Sequence, residues 1–346
     1  MIVPLDPMDF PTPPGKLWFP FQPRPFGLFS RLSWGGGSPP LPFNFSFMAF
    51  IPKGDQDGDD KGICRSPEAT RPISLKNSDN KIISGTMNKA VKYDIARQLS
   101  EAQRGFKVMA QLGDNILDID SIGRIFSMLF PGAFYAFWDV KQAFTSVFHY
   151  WLHAVLGARG FPAGFRVLIE SLYYLGFCYL NQQGMVHFLF VILSGILQGC
   201  PLSGSLFAIS GEPFLLGLTK IDKAHGSLTR ACADDHGQAL PKLDVLKPVL
   251  AVFRRMTSLS GMELNPLKSV LVPLSRVLTP EYLWEISKRT HFYLLQRSLN
   301  KNGGGLCLSE PPKGTTTEKE KKQNEARPRA HATQDAKLHR LHPLPS

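Results

Sequence analysis

Cysteine is scarce in this sequence, and what there is of it is scattered. The five residues (Cys64, Cys178, Cys200, Cys232, Cys307) form no CxxC pair and no zinc spacing, which excludes a zinc ribbon and gives no disulfide framework. A reducing intracellular compartment is the expected setting, with nucleus and cytoplasm both open. Long apolar runs are lacking too. The most apolar stretch, "GMVHFLFVILSGIL", is too short and interrupted to span a bilayer, so no membrane partner is expected. No basic-then-apolar signal peptide opens the chain. No internal repeat stands out. Acidic residues are outnumbered, 28 against 39 basic ones, and the net charge of +11 fits a polyanionic partner.

Two apparent metal motifs fail on their spacing. In "HYWLH" no Glu follows the first His, so the zinc-protease pattern is absent and His149 and His153 are expected on a helix surface. In "GDQDGDDKG" (54–62) Gly58 stands at the wrong offset and Ser66 occupies the place of the bidentate Glu, which makes it a flexible acidic insertion and not a calcium loop.

Composition divides the chain into zones. Residues 1–47 hold eleven of the 28 prolines among many aromatics and suggest no regular fold. Residues 48–275 read as a folded α/β body, with 43% hydrophobic residues in the whole chain to supply a core. Residues 276–310 are ambiguous, and "LTPEYLWEISKRTHFYLLQRSL" within them reads as one amphipathic helix. Residues 311–346, polar and poor in aliphatics, are expected to be a disordered basic tail. Inside the body, "AFYAFWDV" (133–140) is a buried strand ending in an acid, and Val147 to Leu156 follow at helical spacing. "FRVLIESLYYLGFCYL" reads as a second apolar helix and "VHFLFVIL" as a strand. "SGILQGC" turns into a helix at Pro201, and "LTRACADDHGQAL" is strand, turn, strand. "VLAVFRRMTSLSG" is a helix capped by Gly261, and "VLVPL" a final strand.

The turn in "RACADDHGQAL" carries Asp234 and Asp235 side by side, where each charge raises the other's pKa. A bound cation relieves that repulsion; a solvated surface turn is the plain alternative. Asp139 stands at the C-terminal end of its own strand. Were the two strands neighbours, three carboxylates would converge as two Mg²⁺ ions (or Mn²⁺) require, one activating a 3′-hydroxyl and the other holding a triphosphate.

"FWDVKQAF", "GILQGCPLSGSLF", "CADD" and "GMELNPLKS", in that order, resemble four palm motifs of reverse transcriptases of non-LTR (LINE-type) retrotransposons. "TRPISLKNSDNKIIS" and "SEAQRGF…LGDNILDID" resemble the fingers motifs of the same family, and the resemblance spans about residues 46–275. It implies a right-hand polymerase fingers and palm of α/β (α+β) class, an antiparallel palm sheet with helices on one face, and an RNA-directed DNA polymerase joining dNTPs to a DNA primer on an RNA template. Residues 276–310 would then be a thumb remnant at most, the thumb being otherwise missing. Carried over, Asp139, Asp234 and Asp235 are the metal-binding acids, with Asp235 the least direct ligand. Phe144 is the ring that excludes a ribose 2′-hydroxyl, and Gln198 bonds to the incoming nucleotide through its amide, between Gly195 and Gly199, where backbone comes close to that nucleotide. Lys268 is an acid for the departing pyrophosphate, and Arg71 grips the triphosphate. The chain departs from the family at Cys232, where Tyr or Phe is frequent, and at Thr145 in place of an acid. The rival readings are an inactive retroelement remnant that binds RNA and an intron-maturase-like protein.

Overall fold

The computed structural model describes residues 39, 41–54, 65–66, 69–266, 268–274, 284, 293–299 and 303–309. The expectations for most of 1–47, most of 54–62 and all of 311–346 lie outside them.

The chain begins with β1 (Ser46–Pro52), β2 (Thr70–Lys76) and helix α1 (Ser78–Gln98), then α2 (Leu112–Leu129). Next come β3 (Phe134–Trp138), β4 (Val140–Lys141), the short α3 (Ala143–Ser146), α4 (His149–Ala158) and α5 (Ala163–Tyr173). A hairpin of β5 (Gly176–Gln182) and β6 (Met185–Ile192) precedes the long α6 (Ser203–His225). The hairpin of β7 (Leu228–Cys232) and β8 (Asp235–Leu240) leads to α7 (Leu246–Ser260), β9 (Glu263–Leu264) and β10 (Val270–Pro273). Strands β11 (Tyr293–Leu299) and β12 (Gly303–Ser309) follow.

Two sheets carry the architecture. The first has the order β2-β1-β5-β6, with β1 antiparallel to β2 and parallel to β5. The second has the order β11-β12-β10-β3-β8-β7, antiparallel at every pairing. Its centre is β3, where side chains alternate between faces with period two. Phe134, Ala136 and Trp138 are buried on the face covered by α6 and α7, and the Trp138 ring lies 5.2 Å from Phe253 of α7. That helix ends at Gly261 in the left-handed region (φ 81°), as a helix C-cap favours.

The opposite face carries Tyr135 and Phe137, and here the structure differs from the expectation of helices on one face. Helix α2 lies against the second face: Gly123 faces the Tyr135 ring, Ile119 meets Gly237, and Phe126 packs with Ala133 and Ala239. The polar side of α2 explains the placement. Asp118 pairs with both Arg230 of β7 and Arg104, at 2.6 and 2.9 Å, and Asn115 donates to the Ala231 carbonyl. An edge strand offers unpaired backbone groups, and the Asn115 amide occupies one of them on β7.

Three element expectations are corrected. The run "FRVLIESLYYLGFCYL" is helix only to Tyr173; Leu175 takes a positive φ of 44°, the chain reverses, and the aromatic residues that follow suit a strand. "VLVPL" contributes β10, but it is not the final strand. The last seven residues of the expected helix at 278–299 are β11, which pairs with β12, and β12 pairs with β10 through Val270↔Cys307 and Leu271↔Leu306. The open edge of β10 supplies the backbone partners that an amphipathic pattern does not reveal. Among the described residues, no helix is long and apolar enough to cross a membrane.

Under the centre of the second sheet runs a buried hydrogen-bond chain. Trp138 Nε1 donates to Gln238 Oε1 at 2.7 Å, and Gln238 Nε2 donates to Thr229 Oγ1 at 2.8 Å. Gln238→Leu would strand two buried polar groups, at about 1–3 kcal/mol each. A chemical-denaturation midpoint lowered accordingly is the expected outcome; an unchanged midpoint would show that water enters and satisfies them.

Candidate active site

Strand register brings the acids together. Trp138 pairs with His236, so one step further Asp139 faces Asp235 at the ends of adjacent strands. Asp234 sits beside them in the two-residue turn closed by the Cys232↔Asp235 pair, whose first residue, Ala233, has a φ of 59°. The pairing of β4 with β9 brings Asn265 to Asp139. The Asn265 backbone N–H donates to the Asp139 carbonyl at 2.7 Å, and its Nδ2 to Asp139 Oδ2 at 2.9 Å. Ser269 Oγ accepts the Asp139 N–H at 3.3 Å and donates to the Asn265 carbonyl at 2.8 Å.

Beneath the turn, the His236 Nδ1 lies 2.9 Å from the Asp234 carbonyl oxygen, and the ring stands edge-on to Phe253. A carbonyl can only accept, so Nδ1 carries the proton; burial pulls this histidine down to about 4 and keeps it neutral near pH 7.

Both carboxylates of the turn are raised, though not in the symmetric way that adjacency implies. Burial first, then the charges of Asp235 and Asp139, holds Asp234 above the ordinary carboxylate range. Burial and Asp139 do the same to Asp235. Asp139, Asp235 and Lys268 line one cavity of about 510 Å³, together with Cys232, Arg230 and Phe137. Asp234, close enough for the charges of Asp139 and Asp235 to act on it, also borders a small adjoining pocket with Gln103, Gly211 and Met256. Among the described residues, no three His, Cys, Asp or Glu side chains gather closely enough to cage a metal. The donor set nonetheless suits a hard divalent cation: oxygen ligands only, with like charges near enough to raise each other.

A second cavity, of about 520 Å³, is lined by Arg71, Lys53, Ser74, Gln142, Thr145 and Gln198. It joins β2 to the loop before α6, since the Ser74 N–H donates to the Gln198 carbonyl at 2.9 Å. Gly199 has a φ of 103°, and a Cβ there would stand 2.6 Å from the Ser74 carbonyl oxygen. Gly195 is similarly pressed on the Thr145 backbone. The two glycines thus let protein backbone approach protein backbone, a use the sequence expectation had reserved for the nucleotide.

Residues 51–294 match the family model for reverse transcriptase (RNA-dependent DNA polymerase). The chain belongs to this family. It is 30% identical over 191 residues to the retrovirus-related Pol polyprotein from type-2 retrotransposable element R2DM of Drosophila melanogaster, covering 53% of this chain and 17% of that one. It is 27% identical over 242 residues to the Pol polyprotein from type-1 retrotransposable element R2 of Bradysia coprophila, covering 69% and 27%. The chain therefore spans less than a third of the length of the curated relatives it matches. Apo telomerase from Candida tropicalis, truncated from its C-terminal domain, superposes with a TM-score of 0.49 at 14% identity over 66% of this chain and 50% of that one.

Within this reverse transcriptase domain, Asp139, Asp235 and Lys268 meet at one cavity, and Arg71 and Gln198 at the other. Phe144 lines neither; its ring stacks on Phe207 at 4.2 Å and meets Phe106 edge-on. Sequence reasoning missed Asn265, which stood inside a quoted motif, and misplaced His149. That ring is partly buried against Tyr173, with Nε2 2.9 Å from the Gly195 carbonyl oxygen, and desolvation lowers its pKa.

The raised carboxylates set a pH dependence. An acid raised above its unfolded pKa binds more protons when folded, so metal-free stability should rise as pH falls from neutral towards the ordinary carboxylate range. Mg²⁺ should stabilise more at pH 7.5 than at pH 5.5, because bound cations compete with those protons. Melting temperatures with chelator and with excess Mg²⁺ check both; a metal increment that grows on acidification would contradict the assignment.

Proposed function

We propose that this chain is the fingers and palm of an RNA-directed DNA polymerase of the non-LTR retrotransposon kind. It would add deoxynucleotides to a DNA primer copied from an RNA template in an intracellular compartment. The carrying observation is the register that sets Asp139 opposite Asp235, with Asp234 next in the turn and Lys268 on the same cavity wall. Residues 48–275 supply fingers and palm, while β11 and β12 widen the palm sheet where a thumb remnant was expected.

Asp139, Asp234 and Asp235 would hold two divalent ions, Mg²⁺ or Mn²⁺. When bound, such ions lower the pKa of a primer 3′-hydroxyl and neutralise the triphosphate. Asn265 fixes the Asp139 carboxylate by one oxygen and leaves the other available. Lys268, on the wall of the cavity that Asp139 and Asp235 line, would give a proton to the departing pyrophosphate. Arg71 offers the triphosphate a planar, bidentate fork, and Gln198 offers an amide beside it. Gly199 serves by letting that loop close on β2. Phe144, stacked on Phe207, lies in the chain between Gln142 and Thr145, two residues that line that cavity.

Primer extension on an RNA template tests the reading. Asp234→Asn should reduce incorporation by a factor on the order of a thousand, corresponding to several kcal/mol of lost transition-state stabilisation. RNA binding should survive that substitution. Extension at the parental rate would remove Asp234 from the chemistry.

Binding to an RNA/DNA hybrid should weaken steeply with salt, because Lys and Arg contacts release counterions from the backbone. Fluorescence anisotropy at rising KCl is the measurement. A constant affinity across the series would discard the basic surface as the source of binding.

A further inference from the structure

The strained turn that carries Asp234 and Asp235 does not hold itself in place. Ala233, a non-glycine residue, has a φ of 59°, a conformation that L-residues rarely keep unless their surroundings impose it. The imposing group comes from the loop between α1 and α2. The Gln103 side chain is buried (2% exposed), and its Oε1 accepts the Ala233 N–H at 3.0 Å and the Gly105 N–H at 2.7 Å. Gly105 stands so close that a Cβ there would overlap the Ala233 nitrogen.

The loop is itself anchored at both ends of its contact. Its backbone runs along β7, with the Ala231 N–H donating to the Ala102 carbonyl at 2.7 Å and the Arg104 N–H to the Ala231 carbonyl at 2.9 Å. At its root, Glu212 of α6, with no exposed surface, accepts the Ser100 N–H at 2.8 Å. Lys107 Nζ donates to the Leu99 and Ser100 carbonyls at 3.1 and 2.9 Å. A rigid loop thus delivers one amide oxygen to one backbone N–H, at the residue preceding the two acids.

We infer that Gln103 is a positioning residue for the metal-binding turn, with its side-chain oxygen holding Ala233 in the conformation that aims Asp234 and Asp235. The role rests on the polymerase reading above and acts through the turn, without contact to substrate. Its acceptor is what matters, so an isosteric acceptor should substitute for it and an apolar or shortened side chain should not.

The test uses the full chain with Gln103→Leu, Gln103→Asn, Gln103→Glu and, as a reference, Asp234→Asn. The first readout is deuterium exchange of the Ala233 amide, followed on the peptide 231–236. Gln103→Leu and the milder Gln103→Asn, whose amide is too short to reach, should speed exchange about tenfold or more, while Gln103→Glu retains protection. The second readout is primer extension on an RNA template across a Mg²⁺ series. In the Leu and Asn variants kcat should fall about tenfold or more and half-saturating Mg²⁺ should rise, while the nucleotide KM stays within about twofold.

Parental exchange in Gln103→Leu overturns the inference; if that variant fails to fold, parental exchange in Gln103→Asn does so. Loss of protection in Gln103→Glu also counts against it, since the acceptor would not be the operative group. An inactive parent, or Asp234→Asn extending like the parent, overturns the polymerase reading instead, and the amide exchange then decides the clasp alone.

Discussion

Carboxylates set at the ends of two paired strands repel each other, and the arrangement survives only if the surrounding structure holds them against that repulsion. Burial and neighbouring carboxylates raise Asp234 and Asp235, so each of these acids opposes folding at neutral pH in the absence of a cation. The restraint is distributed over separate segments. Asn265 and Ser269 grip Asp139, His236 holds the Asp234 carbonyl, and Gln103 holds the turn at Ala233. Nearly all of these partners are neutral. A cationic partner would relieve the repulsion and so remove the reason to bind a metal; neutral donors fix geometry while leaving the charge available.

The sheet beneath makes that precision affordable. Phe134, Ala136 and Trp138 bury one face of β3 against α6 and α7, and α2 covers part of the other. With both faces packed, β3 and β8 cannot slip in register, because a one-residue slip would reverse every side chain on the strand. The Trp138–Gln238–Thr229 chain adds a polar constraint of the same kind, since its partners meet only in this register. The opposition of Asp139 and Asp235 is therefore inherited from a core that lies well behind them.

Much of this was legible in the residues. The strand in "AFYAFWDV", the hairpin around Asp234 and Asp235, and the Gly261 cap are local signals and form where expected, although the strand read as wholly buried leaves Phe137 exposed on one face. What escaped was decided by distant partners. Leu175 reverses the chain inside an apolar run that looks uniformly helical, and β11 pairs with β12, the strand that occupies the edge of β10. Phe144 sits in the motif where a nucleotide contact was expected, yet Phe207, 63 positions later by its number, turns the ring towards α6. Gln103 gave no sign of its role, because one amide in a polar loop looks like any other until the turn it reaches is in place.

The short path from Asp139 to Thr145 links the two cavities. Asp139 lines the palm cavity; three residues later Gln142, with a left-handed φ of 44°, turns the chain so that its own side chain and that of Thr145 line the fingers cavity. The same segment is tied to the loop before α6, with the Ile196 N–H donating to the Phe144 carbonyl at 2.6 Å and the Gly195 N–H to the Val147 carbonyl at 2.7 Å. That loop in turn accepts the Ser74 N–H of β2, the strand that carries Arg71. A continuous run of backbone hydrogen bonds therefore connects the arginine suited to a triphosphate with the strand that ends in Asp139. In this arrangement the separation of Arg71 from Asp139 is tied to main-chain hydrogen bonds and not to side-chain contacts within the cavities.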